Sequence, residues 1–332
     1  MSSTASITAS PASSRTGLGS VRHLPVNLFA AVMGLAGLSM AWRLVQHQYG
    51  FGGALGEGAG WLAVMLFVVL ALGYLTKALL HPQVARAEFD HPIAGNFFGT
   101  IAISILLLSA VLRPYGQTLA EVVWTLGCVV TLGLGYHVFG RLLRGKSDAA
   151  HAVPAWLIAG VAALDIPVTG GHMTMAWAPE LQLFAAAVGG MLGLLMFTMI
   201  GTRLIHHEPL SGPMVPSLMI LVAPFEVGFL AYVNLVGGVD RFAALLFYFG
   251  LFMFVVLAPK VFLRGLKFGP TWWAIGFPVA ALVNAALKYA AVHPSWPLQL
   301  VAGALVIFLT VALAVLLVRT LHLLLSGRLL SA

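Results

Sequence analysis

Residues Trp272–Ala291 read WWAIGFPVAALVNAALKYAA. About 20 mostly apolar residues rise about 30 Å as an α-helix, the thickness of a bilayer's hydrocarbon core. The stretch also carries features that a plain lipid anchor does not need. Pro278 follows Phe277 at once. A proline inside a helix lacks the backbone donor and crowds the preceding turn, so a kink is expected in mid-span. Helical steps from Phe277 reach Ala281, Asn284 and Lys288, which therefore share one face. Along that face stand a bulky ring, a methyl, an amide and a cation. This is the order expected of a helix that looks into a pore with Phe277 as its plug.

The composition agrees with a membrane setting. Of 332 residues, 60% are hydrophobic and 8% charged, against about 25% charged in soluble domains. Mean hydropathy is +0.99, which makes the chain a polytopic membrane protein. The net charge of +7 then reads as basic loops facing anionic lipid, not as a nucleic-acid surface. Cys128 is the single cysteine, so no intrachain disulfide forms. No clustered Cys/His spacing suggests a metal, no Walker loop suggests ATP, and no cofactor is expected.

Ten apolar spans are expected: Pro25–Val45, Gly58–Leu80, Ile93–Leu112, Leu119–Leu143, Val153–Thr169, Leu181–Leu204, Val215–Val236, Phe242–Phe262, Trp272–Ala291 and Pro297–Leu325. The fifth is the shortest. Residues 1–20, rich in Ser, Thr and Ala, read as a disordered cytoplasmic tail. Residues 21–326 read as one transmembrane domain, and 327–332 as a second cytoplasmic tail. With the N-terminus inside, only Arg43, Arg113, Arg241 and Lys288 of the 17 Lys and Arg fall outside. The bias places both termini in the cytoplasm, of a cell inner membrane, and favours an even number of spans.

Odd and even spans differ. The odd ones carry Asn27, Gly34 and Gly37; Asn96, Thr100 and Ser104; Asp165 and Pro167; Pro224, Glu226 and Asn234; and Phe277, Pro278 and Asn284. The even ones are largely Leu, Val, Ala and Phe. Ionisable and polar groups are costly in hydrocarbon and normally face protein or water. The economical arrangement is five helical hairpins. Odd helices would form an inner ring around a conduit and even helices an outer ring against lipid, with Gly34 and Gly37 allowing close approach. Kinks at Pro224 and Pro278 are expected to free backbone N–H groups. Asn27, Asn96, Thr100 and Asn284 are candidate weak donors along the conduit, with Gly34, Asp165, Glu226 and Ala281 as further lining candidates. Each polar residue has a bland alternative as an ordinary interhelical hydrogen bond. Phe277 has one as a packing aromatic. The two acids have one as satisfied groups, paired with Lys288 or Arg43.

Five segments carry a resemblance: LPVNLFAAVMGLAGLSMAW at Leu24–Trp42, HPIAGNFFGTIAISILLLS at His91–Ser109, VPAW at Val153–Trp156, LVAPFEVGFLAY at Leu221–Tyr232 and WWAIGFP at Trp272–Pro278. In order and spacing the chain resembles the tellurite-resistance/dicarboxylate transporter family, which includes bacterial TehA and the slow anion channel of plant guard cells. The resemblance implies a homotrimer whose protomers each hold a pore inside five hairpins. It implies that a phenylalanine on the ninth helix, here Phe277, occludes that pore. It implies small anions as cargo: malate and other C4-dicarboxylates, chloride, nitrate, sulfite and tellurite. The long regulatory tails of the plant channel are not expected in this chain. The chain departs from the pattern at Val32, Ala102 and Ala159, near positions where the family commonly has mid-span prolines, so weaker kinks are expected there. It departs again at Asp165 and Glu226, where ionised carboxylates would repel an anion.

An anion channel or facilitator is the leading expectation, with weak dipoles discriminating poorly among small anions. A carrier coupling protons to anions through Asp165 and Glu226 is the alternative. More remote are an intramembrane enzyme using the two acids as a pair, and a non-conducting membrane partner protein.

Overall fold

The computed structural model describes residues 20–145, 148–263 and 265–331. The expected N-terminal tail, apart from Ser20, lies outside the described residues, as do Arg15, Lys146 and Arg264 of the charge count. The described chain is helical, without strands.

Each even span is one uninterrupted α-helix. Each odd span is composite, beginning or breaking in tighter 3-10 winding. The first is Val26–Leu28 in 3-10 form and then α1, Phe29–Tyr49. The long α2, Gly53–Leu80, and the short α3, Pro82–Asp90, follow. The third span joins Ala94–Phe98 to α4, Gly99–Leu112, and α5 is Gln117–Leu143. The fifth is α6, Trp156–Val161, a 3-10 turn at Ala162–Leu164 and α7, Asp165–Gly170. After α8, Ala178–His206, an eleven-residue 3-10 run, Gly212–Val222, leads into α9, Ala223–Val236. Runs of this winding beyond three or four residues are uncommon and mark strain or function. Then come α10, Arg241–Phe262; Pro270–Ile275 leading into α11, Gly276–Val292; and α12, Trp296–Leu325.

These junctions revise the expected kinks. Pro167, Pro224 and Pro278 each occupy the first turn of an α piece. The donor each lacks is thus lost where the winding changes and not inside a regular α ladder. The winding change does not depend on proline, since the first and third spans make it at Phe29 and Gly99 without one. Nor does it free the junction donors. Phe29 N–H donates to Val26 O, Gly99 to Asn96 O, Ala223 to Ile220 O and Gly276 to Trp273 O.

Among the described residues nine helices are long and apolar enough to cross a membrane, and the fifth segment, Trp156–Gly170, is shorter. At 1.5–2 Å per residue it reaches roughly 22–25 Å, short of a hydrocarbon core. It needs no lipid contact, because its residues are buried inside the chain. The four long odd spans are 72–83% buried over their apolar windows, the even helices 22–33%. Exposed Leu72, Val129, Met191, Leu245 and Ile307 on the even helices suit acyl chains, which are as apolar as leucine.

Two glycines set the closest approach of α1 to α11. A Cβ on Gly34 would lie 3.3 Å from the Gly276 Cα, and one on Gly37 would lie 2.6 Å from the Ala280 Cβ. Gly37→Val is therefore expected to cost about 1–3 kcal/mol by overpacking. Thermal unfolding in detergent checks this against Gly133→Val, whose Cβ meets nothing within 4 Å. At the end of the molecule where α1 begins, Glu88 on α3 accepts from Val26 N–H (3.0 Å), Tyr74 Oη (2.9 Å) and Lys77 Nζ, which also donates to Leu24 O (2.7 Å). This cluster pins the entry to α1 and was not anticipated from the sequence.

Candidate functional site

The face of α11 expected to look into a pore borders three voids in succession. Phe277 borders the first two, Asn284 the second and third, and Lys288 the third. The first void, about 30 Å³, draws one wall from each odd span: Met33, Thr100, Leu157, Ile220 and Phe277. So does the second, about 20 Å³: Gly37, Leu107, Asp165, Val227 and Asn284. No described residue of an even helix borders either void. Each is room for about one water. Phe277, largely buried, is the one described residue that lines both, and Ala281 borders the second.

The third void is a bowl of about 720 Å³ that shares Met40, Val168, Leu230 and Asn284 with the second. Arg43, Arg113 and Lys288 border it together with His47 and His172, and no described acidic residue does. Arg43 is steadied by a two-point contact with Glu57 (2.9 and 3.2 Å) and by Val111 O (2.9 Å). Lys288 Nζ donates to Asn234 Oδ1 (3.0 Å), while Asn234 Nδ2 is held by Pro167 O and Val168 O. The His172 imidazole lies in a loop outside the spans. Burial, and then the Arg113 and Lys288 cations, hold it below the usual histidine range. In the sequence these three cations appear only as outliers from the inside bias. The available signal was that each sits toward the C-terminal end of an odd span.

The two acids part company. Asp165 is buried at the second void, and neither carboxyl oxygen has a hydrogen-bond partner. Glu226 is equally buried and unpartnered but borders none of the three voids. It packs against Gly250 of α10, where an added Cβ would overlap its carboxyl group. Its expected place along the conduit is therefore corrected, and so is the pairing of either acid with Lys288 or Arg43, since both cations are engaged elsewhere. The two acids share none of the three voids.

Other expected lining residues are redistributed. Gly34 packs on Gly276 and borders none of the three voids. Asn27 is half-buried away from them, its Oδ1 unpartnered. Asn96 borders a separate pocket of about 300 Å³ with Asp90, Arg141 and His151. The expected donors are spent on backbone carbonyls: Asn96 Nδ2 on Pro92 O and Ile93 O, Thr100 Oγ1 on Phe97 O (2.6 Å), and Asn284 Nδ2 on Gly37 O (3.0 Å) and Ala280 O (2.8 Å).

Comparison with known proteins gives consistent results. Residues 23–321 match the family described as SLAC1, voltage-dependent anion channel. The S-type anion channel SLAH3 of Arabidopsis thaliana is 26% identical over 89% of this chain and 48% of its own length. The uncharacterized transporter MJ0576 of Methanocaldococcus jannaschii is 26% identical over 79% of this chain and 82% of its own. The tellurite resistance protein TehA homolog of Haemophilus influenzae is 25% identical over 80% of this chain and 81% of its own. The chain thus spans about half the length of the plant channel and most of the microbial proteins.

Proposed function

This chain belongs to the voltage-dependent anion channel family, and from that premise we propose that it carries small anions across a membrane along the line of voids bordered by Phe277. The observation that carries the reading is that Phe277 lines both of two water-sized voids whose described walls come from the odd spans. On this reading the odd spans form an inner ring, the even helices an outer one, and the ten spans pair as five hairpins. An even number of spans puts both termini on one side, which the Lys and Arg bias assigns to the cytoplasm. Assembly as a homotrimer, each protomer with its own path, follows the family resemblance.

The mechanism needs little chemistry. The bowl concentrates anions by its field, because Arg43, Arg113 and Lys288 line it and only Arg43 is paired with an acid, Glu57. The ring closes the path by filling it and keeping it dry, and a rotamer change opens it. The cargo set comprises C4-dicarboxylates such as malate, chloride, nitrate, sulfite and tellurite. The test is a flux assay on protein reconstituted in liposomes with chloride, nitrate, sulfite and malate. Flux of none of them, from protein shown to be folded, would sink the reading and leave that of a non-conducting membrane partner. A carrier coupled to protons is the second reading, and Asp165, unpartnered beside the ring, favours it.

A further inference from the structure

The bowl holds more positive charge than its own residues answer. Arg43 is paired with Glu57, but Arg113 and Lys288 have no ion pair among the described residues. Lys288 is half-buried on α11. Its ammonium gives one hydrogen to Asn234 Oδ1, which leaves two of its three donors for another partner. A sheltered cation without an acid is costly to hold. Arg113 caps α4 at the bowl, and no described acid occupies its planar fork, a shape that fits the paired oxygens of a carboxylate or phosphate. The two cations come from the third and ninth spans, yet both act on the His172 imidazole. They therefore converge on one part of the bowl wall.

We propose that Arg113 and Lys288 form a saturable binding site for oxyanions of three or more negative charges, which lodge in the bowl and shut the path to smaller anions. A field raises the local concentration of every anion and is screened by salt. A site of this kind fills, and it holds one class of ligand. The block rests on the transport reading above; the binding does not.

Charge decides between binding and passage. The attraction of an ion to the bowl grows in proportion to its charge, while the cost of stripping its water grows with the square of the charge. Against a singly charged ion of equal size, a triply charged one gains roughly threefold in the bowl and loses roughly ninefold at the constriction. The bowl, about 720 Å³, lets a polyanion keep much of its water. The void beyond it, about 20 Å³ and bordered by Phe277, has room for about one water. A polyanion held by Arg113 and Lys288 thus stays where it is, above the residues Met40, Val168, Leu230 and Asn284 that lead into that void.

The test follows chloride flux into liposomes carrying the full chain, with pyrophosphate, citrate or sulfate on both sides. Ionic strength is held constant and divalent cations are left out, so that screening and chelation do not enter. Pyrophosphate and citrate are expected to inhibit saturably, sulfate far less. Whichever of the two acts at lower concentration names the source as phosphate or carboxylate. In Arg113→Gln the half-inhibiting concentration should rise about tenfold, the worth of one hydrogen bond to a charged group. Lys260→Gln, an exposed cation on α10 away from the bowl, should keep the wild-type value. Inhibition by sulfate equal to that by the polyanions overturns the inference while leaving anion transport standing. So does an unchanged half-inhibiting concentration in Arg113→Gln. If no anion moves, the transport reading fails, and calorimetry of pyrophosphate binding to the purified protein decides the site. Saturable binding that weakens about tenfold in Arg113→Gln supports it, as does a rise in the His172 titration on binding, read by NMR, because the ligand offsets the two cations. Absence of saturable binding ends it.

Discussion

Flux through Phe277→Ala is expected to exceed wild type by at least about tenfold, a barrier change of about 1.4 kcal/mol. The ring is the wall common to voids of about 30 and 20 Å³. A methyl group in its place joins them through the space the ring filled, and water can then follow the anion. The folded state should tolerate the loss better than most such truncations. Phe→Ala in a filled core costs about 3–5 kcal/mol, but this ring already borders empty space, so the lower end applies. Current or liposome flux, measured on protein that elutes as a single species and unfolds cooperatively, checks the result. Wild-type flux in such a preparation would mean that Phe277 is packing and the barrier lies elsewhere.

Lys288→Glu should act in the opposite direction, lowering anion flux about tenfold at low ionic strength, in the range of field-driven steering effects. The substitution replaces a cation by an anion in a bowl otherwise charged by Arg43 and Arg113. Structural damage should be small, because Asn234 keeps its two backbone acceptors at Pro167 and Val168. Salt separates field from fold. The Debye length shrinks from about 10 Å at 0.1 M to about 3 Å at 1 M, so the deficit should narrow as salt rises. A deficit that ignores salt would mean lost structure. The same variant removes one of the charges that depress His172, so its titration should move back toward the ordinary histidine range.

Much of the lining of the voids was readable along single helices. Phe277, Ala281, Asn284 and Lys288 share a face because helical periodicity is a local property, and all four border the voids. The contrast between odd and even spans was equally local, since polar residues in hydrocarbon must turn toward protein, and the burial of the odd spans agrees. Asp165 and Glu226 could not be told apart in this way. Both are acids on odd spans, and which of them meets the void depends on how each helix is rotated about its own axis. The missing side chain at Gly250 makes room for Glu226 between α9 and α10, a circumstance set 24 residues away in sequence.

Sequence alone thus determined that this is a helical membrane protein, which spans are the more buried, and which residues of α11 share a face. Composition and period act over a few residues and need no partner to be read. Tertiary structure decided the rest: that Asn284 and Thr100 spend their donors on carbonyls, that Arg43, Arg113 and Lys288 meet around one bowl, and that a lone carboxyl group sits beside the ring. Each of these depends on distances between segments remote in the chain. Such distances come from helix packing, in which a single glycine changes how closely two backbones approach.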